Sequence, residues 1–369
     1  MIYFVAISLS VFFAWLLGRV KGNAQPLCLL AAVLIPSLVW GIRSTDMGYD
    51  VNLYGLPIWN YSAKLHSFDY SGVQWGYSIE KGYLFLNYVT TRFFQDIHWL
   101  FFILAFCSCF AVLSSLIWSD FRKVAWLGYA YYLLIFFPRT INIVRQGFAM
   151  AILVAAISAF FQRKWKIYIC LVLVGTLIHN SAIIALSFPV IYLILKNNNG
   201  IFRQLLLALI VLTCTIFAES ILSQFFLFND KYDVYLNGTF KPHFSIFSLI
   251  NFPFIAVFFF YYKSFRRKFS FFPEEVFFLI AGMILCQLSW IIAVYMMRVA
   301  QPYNIFIIFA PMLLVSWLEQ KKNNMTPLIK SFCILYALLY FVLVFVVNGE
   351  SGIYPYQSEL LDYALDQLL

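Results

Sequence analysis

The chain is a succession of long apolar runs separated by short polar breaks. Runs of about 20 apolar residues match the roughly 30 Å hydrocarbon core of a bilayer. Inside hydrocarbon the backbone must satisfy its own polar groups, and runs of this kind do so as helices. Only 11% of the 369 residues are charged, against about a quarter in soluble domains, so too few polar groups exist to coat a water-facing surface. Aromatic residues make up 21% of the chain, as expected of lipid-facing Phe with Trp and Tyr at the interfaces. The fold class is therefore all-α: a polytopic integral membrane helical bundle.

Apolar runs at 2–18, 27–40, 98–118, 124–137, 145–161, 204–222, 244–262, 276–297, 299–318 and 327–347 read as spans. The stretch Ile167–Leu195 is longer and is interrupted by His179, Asn180 and Ser181. Basic residues prefer cytoplasmic loops. Taken as two short spans, 167–178 and 181–195, this stretch keeps Lys263, Arg266, Arg267 and Lys268 on the same side as the other basic breaks. Two spans are therefore expected, giving about 12 transmembrane helices with both termini outside. A single transmembrane domain, 1–369, would then carry a long extracytoplasmic loop, 41–97, between helices 2 and 3, a second at 223–243, and a tail at 348–369. The first segment has no charge before Arg19 and Lys21, the reverse of a cleaved signal peptide, and is expected to be retained.

The formal net charge of +9 comes from Lys and Arg concentrated in the small inner loops. That pattern follows from topology, and nothing in those loops interleaves basic and aromatic residues as a nucleic-acid surface does, so no nucleic-acid partner is expected. The seven cysteines lie in apolar runs without metal-ligand spacing and read as small packing residues.

The chemically distinctive side chains collect on the expected outer side. Arg43, Asp46, Asp50 and Tyr54 follow the second span, Glu80 sits in the long loop, Arg145 and Gln146 open the fifth span, His179 lies at the tip of a hairpin, and Arg298 ends the tenth. Each has a plain alternative. Arginines near helix ends snorkel to the interface, the reading preferred for Arg139. Asp50 and Glu80 can simply pair with arginines, Tyr54 can be packing, and His179 can be a hydrogen-bonded turn residue. Ionisable groups at membrane depth nevertheless mark sites by default. Arginines from three helix ends, Arg43, Arg145 and Arg298, suit a phosphate or diphosphate bound in bidentate fashion, and Arg145 gains from the first-turn dipole. Ala151, Ala155 and Ala159 give that helix a small face for close packing. The short spans around His179 imply recessed ends and a cavity open to the outside. Trp59, Tyr61, Tyr70, Trp75, Tyr77 and Tyr83 in the long loop suit either sugar rings or an interfacial belt. Asp46, Asp50 and Glu80 are oxygen ligands of a kind Mg²⁺ accepts, but no tight acidic pair accompanies them, so neither a metal nor a cofactor is expected.

Taken in order along the chain, these positions resemble the EpsG-like family of bacterial polysaccharide repeat-unit polymerases of the Wzy type. The likeness rests on Arg43 with Gly48, Asp50 and Tyr54; Glu80 with Gly82, Tyr83 and Asn87; Arg145-Gln146; His179 with Ser181-Ala182; Arg298 with Tyr303; and Tyr354-Pro355-Tyr356. Tyr49 and Lys81 depart from the family pattern. The resemblance implies a polymerase that joins undecaprenyl-diphosphate-linked oligosaccharide repeats into O-antigen, capsule or exopolysaccharide at the outer face of the bacterial inner membrane. It implies membrane lipid, a chain-length regulator and a flippase as partners. Carried over by position, His179, Glu80, Asp50 and Arg145 are the candidate catalytic residues, and Arg43, Arg298, Gln146, Tyr54, Tyr83 and Tyr303 the candidate substrate-binding ones. Arg145 and Arg298, assisted by Arg43, would meet the leaving diphosphate, and His179, Glu80 or Asp50 would take the acceptor proton. An O-antigen ligase, a sugar O-acyltransferase or a lipid-linked oligosaccharide flippase would draw on part of the same logic.

Overall fold

A computed structural model of the chain describes residues 2–72, 79–119, 121–196, 250–268, 273–292 and 296–361. All regular structure among them is helical. The chain divides into two compact units, one formed by Met1–Gln74, Ile79–Ala182 and Pro311–Leu369, the other by Trp75–Ser78 and Ile183–Ala310.

In the first unit, α1 (Ile2–Leu17), α2 (Ala24–Gly41), α5 (His98–Ile117) and α7 (Val144–Phe161) pack in sequence against one another. α8 (Trp165–Ile178) lies along α7, and α6 (Ala125–Tyr131) meets α1 and α5. α7 is enclosed in composition as well as place: Ala149, Ala151 and Ala156 are wholly buried, and small side chains let neighbouring backbones approach in a membrane bundle. Pro36 interrupts the donor series inside α2, and the adjacent Ser37 hydroxyl donates to Val33 O at 2.7 Å. α7 ends in a left-handed residue, Arg163 at φ 60°. The Arg163 and Lys164 amides donate back to Phe160 O and Ala159 O, each at 2.9 Å, the paired bonds of a Schellman ending.

The expected 12 spans do not stand. Among the described residues six helical stretches are long and apolar enough to cross a membrane: Ala24–Gly41, His98–Ile117, Arg122–Ile141, Val144–Phe161, Ala300–Gln320 and Thr326–Val347. The error lies in equating each apolar run with a full crossing. The 16 residues of α1 and the 14 of α8 reach only about 21–24 Å. The run at 204–222 and the loop at 223–243 lie outside the described residues. The long segment 41–97 is also not a plain loop. It folds into a π-helical turn, Val51–Gly55, running into α3 (Leu56–Lys64), and then α4 (Lys81–Phe93). α3 and α4 pack together, and α4 reaches α8.

After α6 the chain continues through a π turn, Tyr132–Phe136, and a 3-10 turn, Phe137–Ile141. The segment after Val347 docks back on the end of α2. The Tyr356 hydroxyl donates to Val39 O at 2.8 Å, and the Ser358 hydroxyl donates to Ile42 O. The Ser44 amide donates to Gln357 O at 2.8 Å, and its hydroxyl to Glu359 at 2.8 Å.

The second unit contains α9 (Ser187–Lys196), α10 (Phe252–Lys268), α11 (Pro273–Ile292), α12 (Met296–Asn304) and the start of α13 (Phe306–Gln320). Its described core is aromatic: Phe188 meets Phe278, Tyr303 and Phe306 at centroid distances of 5.5, 5.1 and 5.2 Å. The Asn251 amide donates to Asn304 at 3.1 Å. α14 (Thr326–Phe341), in the first unit, continues into a π turn, Val342–Val347.

Candidate active site

At one end of the first unit four chain segments meet: the π turn after α2, the start of α4, the start of α7 and the end of α8. Gly82 fixes the approach of α4 to α8, because a Cβ there would fall 2.5 Å from Leu177 O. That contact sets Glu80, the residue before α4, beside the residue that ends α8. His179 leaves the helix in extended conformation, at φ −154° and ψ 123°. One Glu80 oxygen, Oε1, accepts from the Asn180 amide at 3.2 Å and lies 3.1 Å from His179 Nδ1, in an orientation too bent for a full hydrogen bond. The other, Oε2, accepts from Arg145 Nη1 at 2.5 Å.

Arg145 occupies the first turn of α7, where the helix dipole favours negative charge. Its guanidinium lies over the Tyr54 ring at 4.3 Å, and its buried Nε has no hydrogen-bond partner among the described residues. The Tyr54 hydroxyl donates to Asp50 at 2.5 Å, and the Tyr54 ring meets the Tyr83 ring edge-on at 6.2 Å. Gln146 donates to Ser181 Oγ at 3.3 Å. A π turn adds a residue to the helical repeat and is frequent at functional sites; here it carries Tyr54 between Asp50 and Arg145.

The electrostatics follow from this packing. Burial pushes the Glu80 carboxyl up, but His179 and the Arg145 charge outweigh it and hold the group at about 2. Burial, and then the neighbouring Asp50, push the Tyr54 hydroxyl up. Tyr83, between the fields of Arg145 and Arg43, is pushed up to about 12 by burial.

Arg43 stands apart from the Glu80 carboxylate. It is 2% exposed, donates to Met47 O at 2.6 Å and lies over Phe101 at 4.3 Å. Burial lowers its guanidinium to about 10. His98 Nε2 is 3.0 Å from the Arg43 carbonyl. Arg298 and Tyr303 belong to α12 of the second unit, where the Tyr303 hydroxyl is 2.5 Å from Ser187 Oγ. Of the loop aromatics, Trp59 is buried and Tyr61 packs on Tyr70 at 5.7 Å, while Trp75 and Tyr77 lie outside the described residues. Among the described residues no group of three or more His, Cys, Asp or Glu is arranged to hold a metal ion.

Two features escaped the sequence reading. Arg139 does not snorkel: it is buried and donates to Glu350 Oε1 at 2.7 Å, to Ile135 O at 2.9 Å and to Tyr340 OH at 2.5 Å. Beside the ionic cluster is an open pocket of about 640 Å³, walled by the Asp46–Leu53 segment, Asn142 and Ser351–Gly352. The only sequence signal for it was the density of Asn and Gly around the site arginines.

No curated protein and no solved structure gives a match to the chain. The model of the EpsG family does match, over residues 27–358, a range that takes in Arg43, Glu80, Arg145, His179 and the docked Tyr354-Pro355-Tyr356 segment together with the helices that hold them. A match across that much of a polytopic membrane chain establishes kinship, and the protein belongs to the EpsG family, a family of Wzy-type polysaccharide polymerases.

Proposed function

We propose that the chain polymerises lipid-diphosphate-linked oligosaccharide repeats, undecaprenyl diphosphate being the lipid carrier, at the outer face of the bacterial inner membrane. The observation that carries the reading is the Arg145–Glu80–His179 cluster. A guanidinium at a helix start, its Nε without a partner among the described residues, shares the Glu80 carboxylate with an imidazole. Together they offer an anion site and a proton acceptor side by side, the two needs of glycosyl transfer to a hydroxyl.

In the proposed step the acceptor hydroxyl oxygen attacks the anomeric carbon of the lipid-linked donor glycan. The carbon–oxygen bond to the diphosphate breaks, and the lipid diphosphate leaves with the bonding pair. The hydroxyl proton passes to His179. A carboxylate held at about 2 is a weak base near neutral pH, so the chemistry favours His179 over Glu80 as acceptor of that proton. Glu80 at 3.1 Å favours a proton on Nδ1 and leaves Nε2 as the basic nitrogen. Arg145, released in part from Glu80, meets the developing charge on the diphosphate. Asp50 orders Tyr54 beneath Arg145, and Gln146 with Tyr83 lines the same end. Arg43, buried among rings and carbonyls, assists by holding the segment that carries Asp50 and Tyr54. Arg298 and Tyr303 remain assigned to substrate binding on the family resemblance. A chain-length regulator and a flippase are the proposed partners.

The test is incubation of the purified full-length chain with lipid-linked repeats extracted from the host membrane. A ladder of lengthened products from the repeat alone supports a polymerase. Transfer only when a second, different acceptor is supplied would make it a ligase, and movement of the lipid across vesicles without lengthening would make it a flippase.

A further inference from the structure

The 640 Å³ pocket is within the roughly 300–1,000 Å³ range of small-molecule sites, and its lining has a definite chemistry. Asn52 and Asn142 bring carboxamides, each able to donate and accept at once. Asp46 brings a carboxylate, Ser351 a hydroxyl, and Tyr49 a ring that is 73% exposed. Among the described lining residues no side chain is basic, so the pocket has nothing with which to neutralise a phosphate. Gly48, at φ +98°, lets the wall seat on Ile141, where a Cβ would meet Ile141 O at 2.5 Å. The wall is therefore set by backbone packing.

Paired amides, a lone carboxylate and an exposed aromatic face match a compact ligand rich in hydroxyls and free of negative charge. We infer that this pocket is a saccharide subsite that holds an uncharged sugar of the acceptor glycan. That it is the acceptor rests on the function proposed above and on connectivity. Tyr49 and Asn52 lie on the same helical stretch as Asp50 and Tyr54, and Asn142 lies two residues before the helix that carries Arg145. A sugar here rests on the stretch that carries Asp50 and Tyr54, while the diphosphate belongs with Arg145. Asn52 and Asn142 then select the sugar.

The experiment is saturation-transfer difference NMR on the full-length chain in detergent, with glucose, galactose, N-acetylglucosamine and N-acetylgalactosamine as probes and inorganic pyrophosphate as the anionic competitor. At least one sugar is expected to give a signal that excess pyrophosphate leaves in place. That signal should fall by about tenfold in Asn52→Leu and in Asn142→Leu, the effect of one lost hydrogen bond to a bound polar group. Asn52 is exposed, so its replacement tests the pocket without risk to the core. No sugar signal in the wild-type chain, a signal that survives both substitutions, or one abolished by pyrophosphate each overturns the subsite. The result is separable from the polymerase reading: sugars can bind and vanish with the substitutions whether or not lipid-linked repeats are lengthened, and lengthening can proceed with no sugar in this pocket.

Discussion

Six residues apart in sequence, Arg139 and Arg145 each pair with a glutamate, and the two pairs have opposite designs. Arg139 uses its whole fork. Nε goes to Glu350, Nη1 to the Ile135 carbonyl and Nη2 to the Tyr340 hydroxyl, with the Tyr340 and Phe345 rings close by. Every guanidinium nitrogen has a protein partner, and the bonds join the segment after the last span to the middle of the bundle. Arg145 is tied to Glu80 through Nη1, keeps an unpartnered Nε, and shares its carboxylate with His179. Breaking a buried ion pair by removing one partner costs several kcal/mol, so neither partner of either pair is dispensable to the fold. Only the second has spare bonding capacity next to a proton acceptor. A saturated arginine is a clamp; an arginine with open valences beside an ionised carboxylate and an imidazole is equipped to exchange partners.

The largest expected effect separates them directly. Arg145→Lys keeps the charge and loses the bidentate fork, and lengthening of lipid-linked repeats should fall by about 10²–10³-fold, measured per molecule of monodisperse protein. Arg139→Lys should leave that rate per folded molecule within about twofold and instead lower stability. The cost is about 2–3 kcal/mol, below the full 3–5 of a broken buried pair because the Glu350 side chain is 34% exposed; a thermal melt of the purified chain measures it. Equal losses of rate in the two variants would erase the distinction drawn here.

Much of the Arg145 region was legible in the sequence, and almost none of the Arg139 clamp. Membrane class and helical content follow from apolar runs, which any bilayer imposes. Arg145, His179 and Glu80 stood out because charge is conspicuous in such a chain. Glu350 did not, because its partner is 211 positions away and no periodicity relates them. Asn142 escaped for a different reason: a neutral amide disturbs neither hydropathy nor charge. The number of spans was misread because an apolar run records that a segment avoids water, whereas crossing depends on where the helix starts and stops. α8 shows this, since its end at Ile178 lies where the sequence placed it, yet its 14 residues fall short of a crossing, and the segment 41–97, whose polar composition hid two helices, escaped as well.

Gly82→Ala should strike one region and spare the other. The added Cβ would sit 2.5 Å from Leu177 O, a backbone atom that cannot swing aside, so α4 must move from α8. Overpacking of this kind costs about 1–3 kcal/mol, and the same shift draws Glu80 away from His179 and Asn180. Stability and polymer yield should fall together, and adding Glu80→Gln should then cost less than it does alone, since contacts already lost cannot be lost again. Full additivity of the two substitutions would mean that Gly82 does not position the cluster.

The smallest effect is a pH dependence at Glu80 in the Arg145 region. The Glu80 carboxyl is held at about 2 in the folded chain against an ordinary 4.5. Its folded value is depressed, so its contribution to stability is complete above about pH 4.5 and drains away as pH falls toward 2, where the unfolded chain has already taken up the proton. Only part of that window is accessible before other carboxyls titrate, and by about pH 3.5 the loss attributable to this group is on the order of 1 kcal/mol. Melting temperature followed from about pH 6 to pH 3.5 should decline in the wild-type chain and decline less in Glu80→Gln, which has no proton to gain. If Glu80→Gln declines as steeply as the wild-type chain, the carboxylate is not specially held by Arg145 and His179, and the partner exchange assigned to Arg145 loses its physical basis.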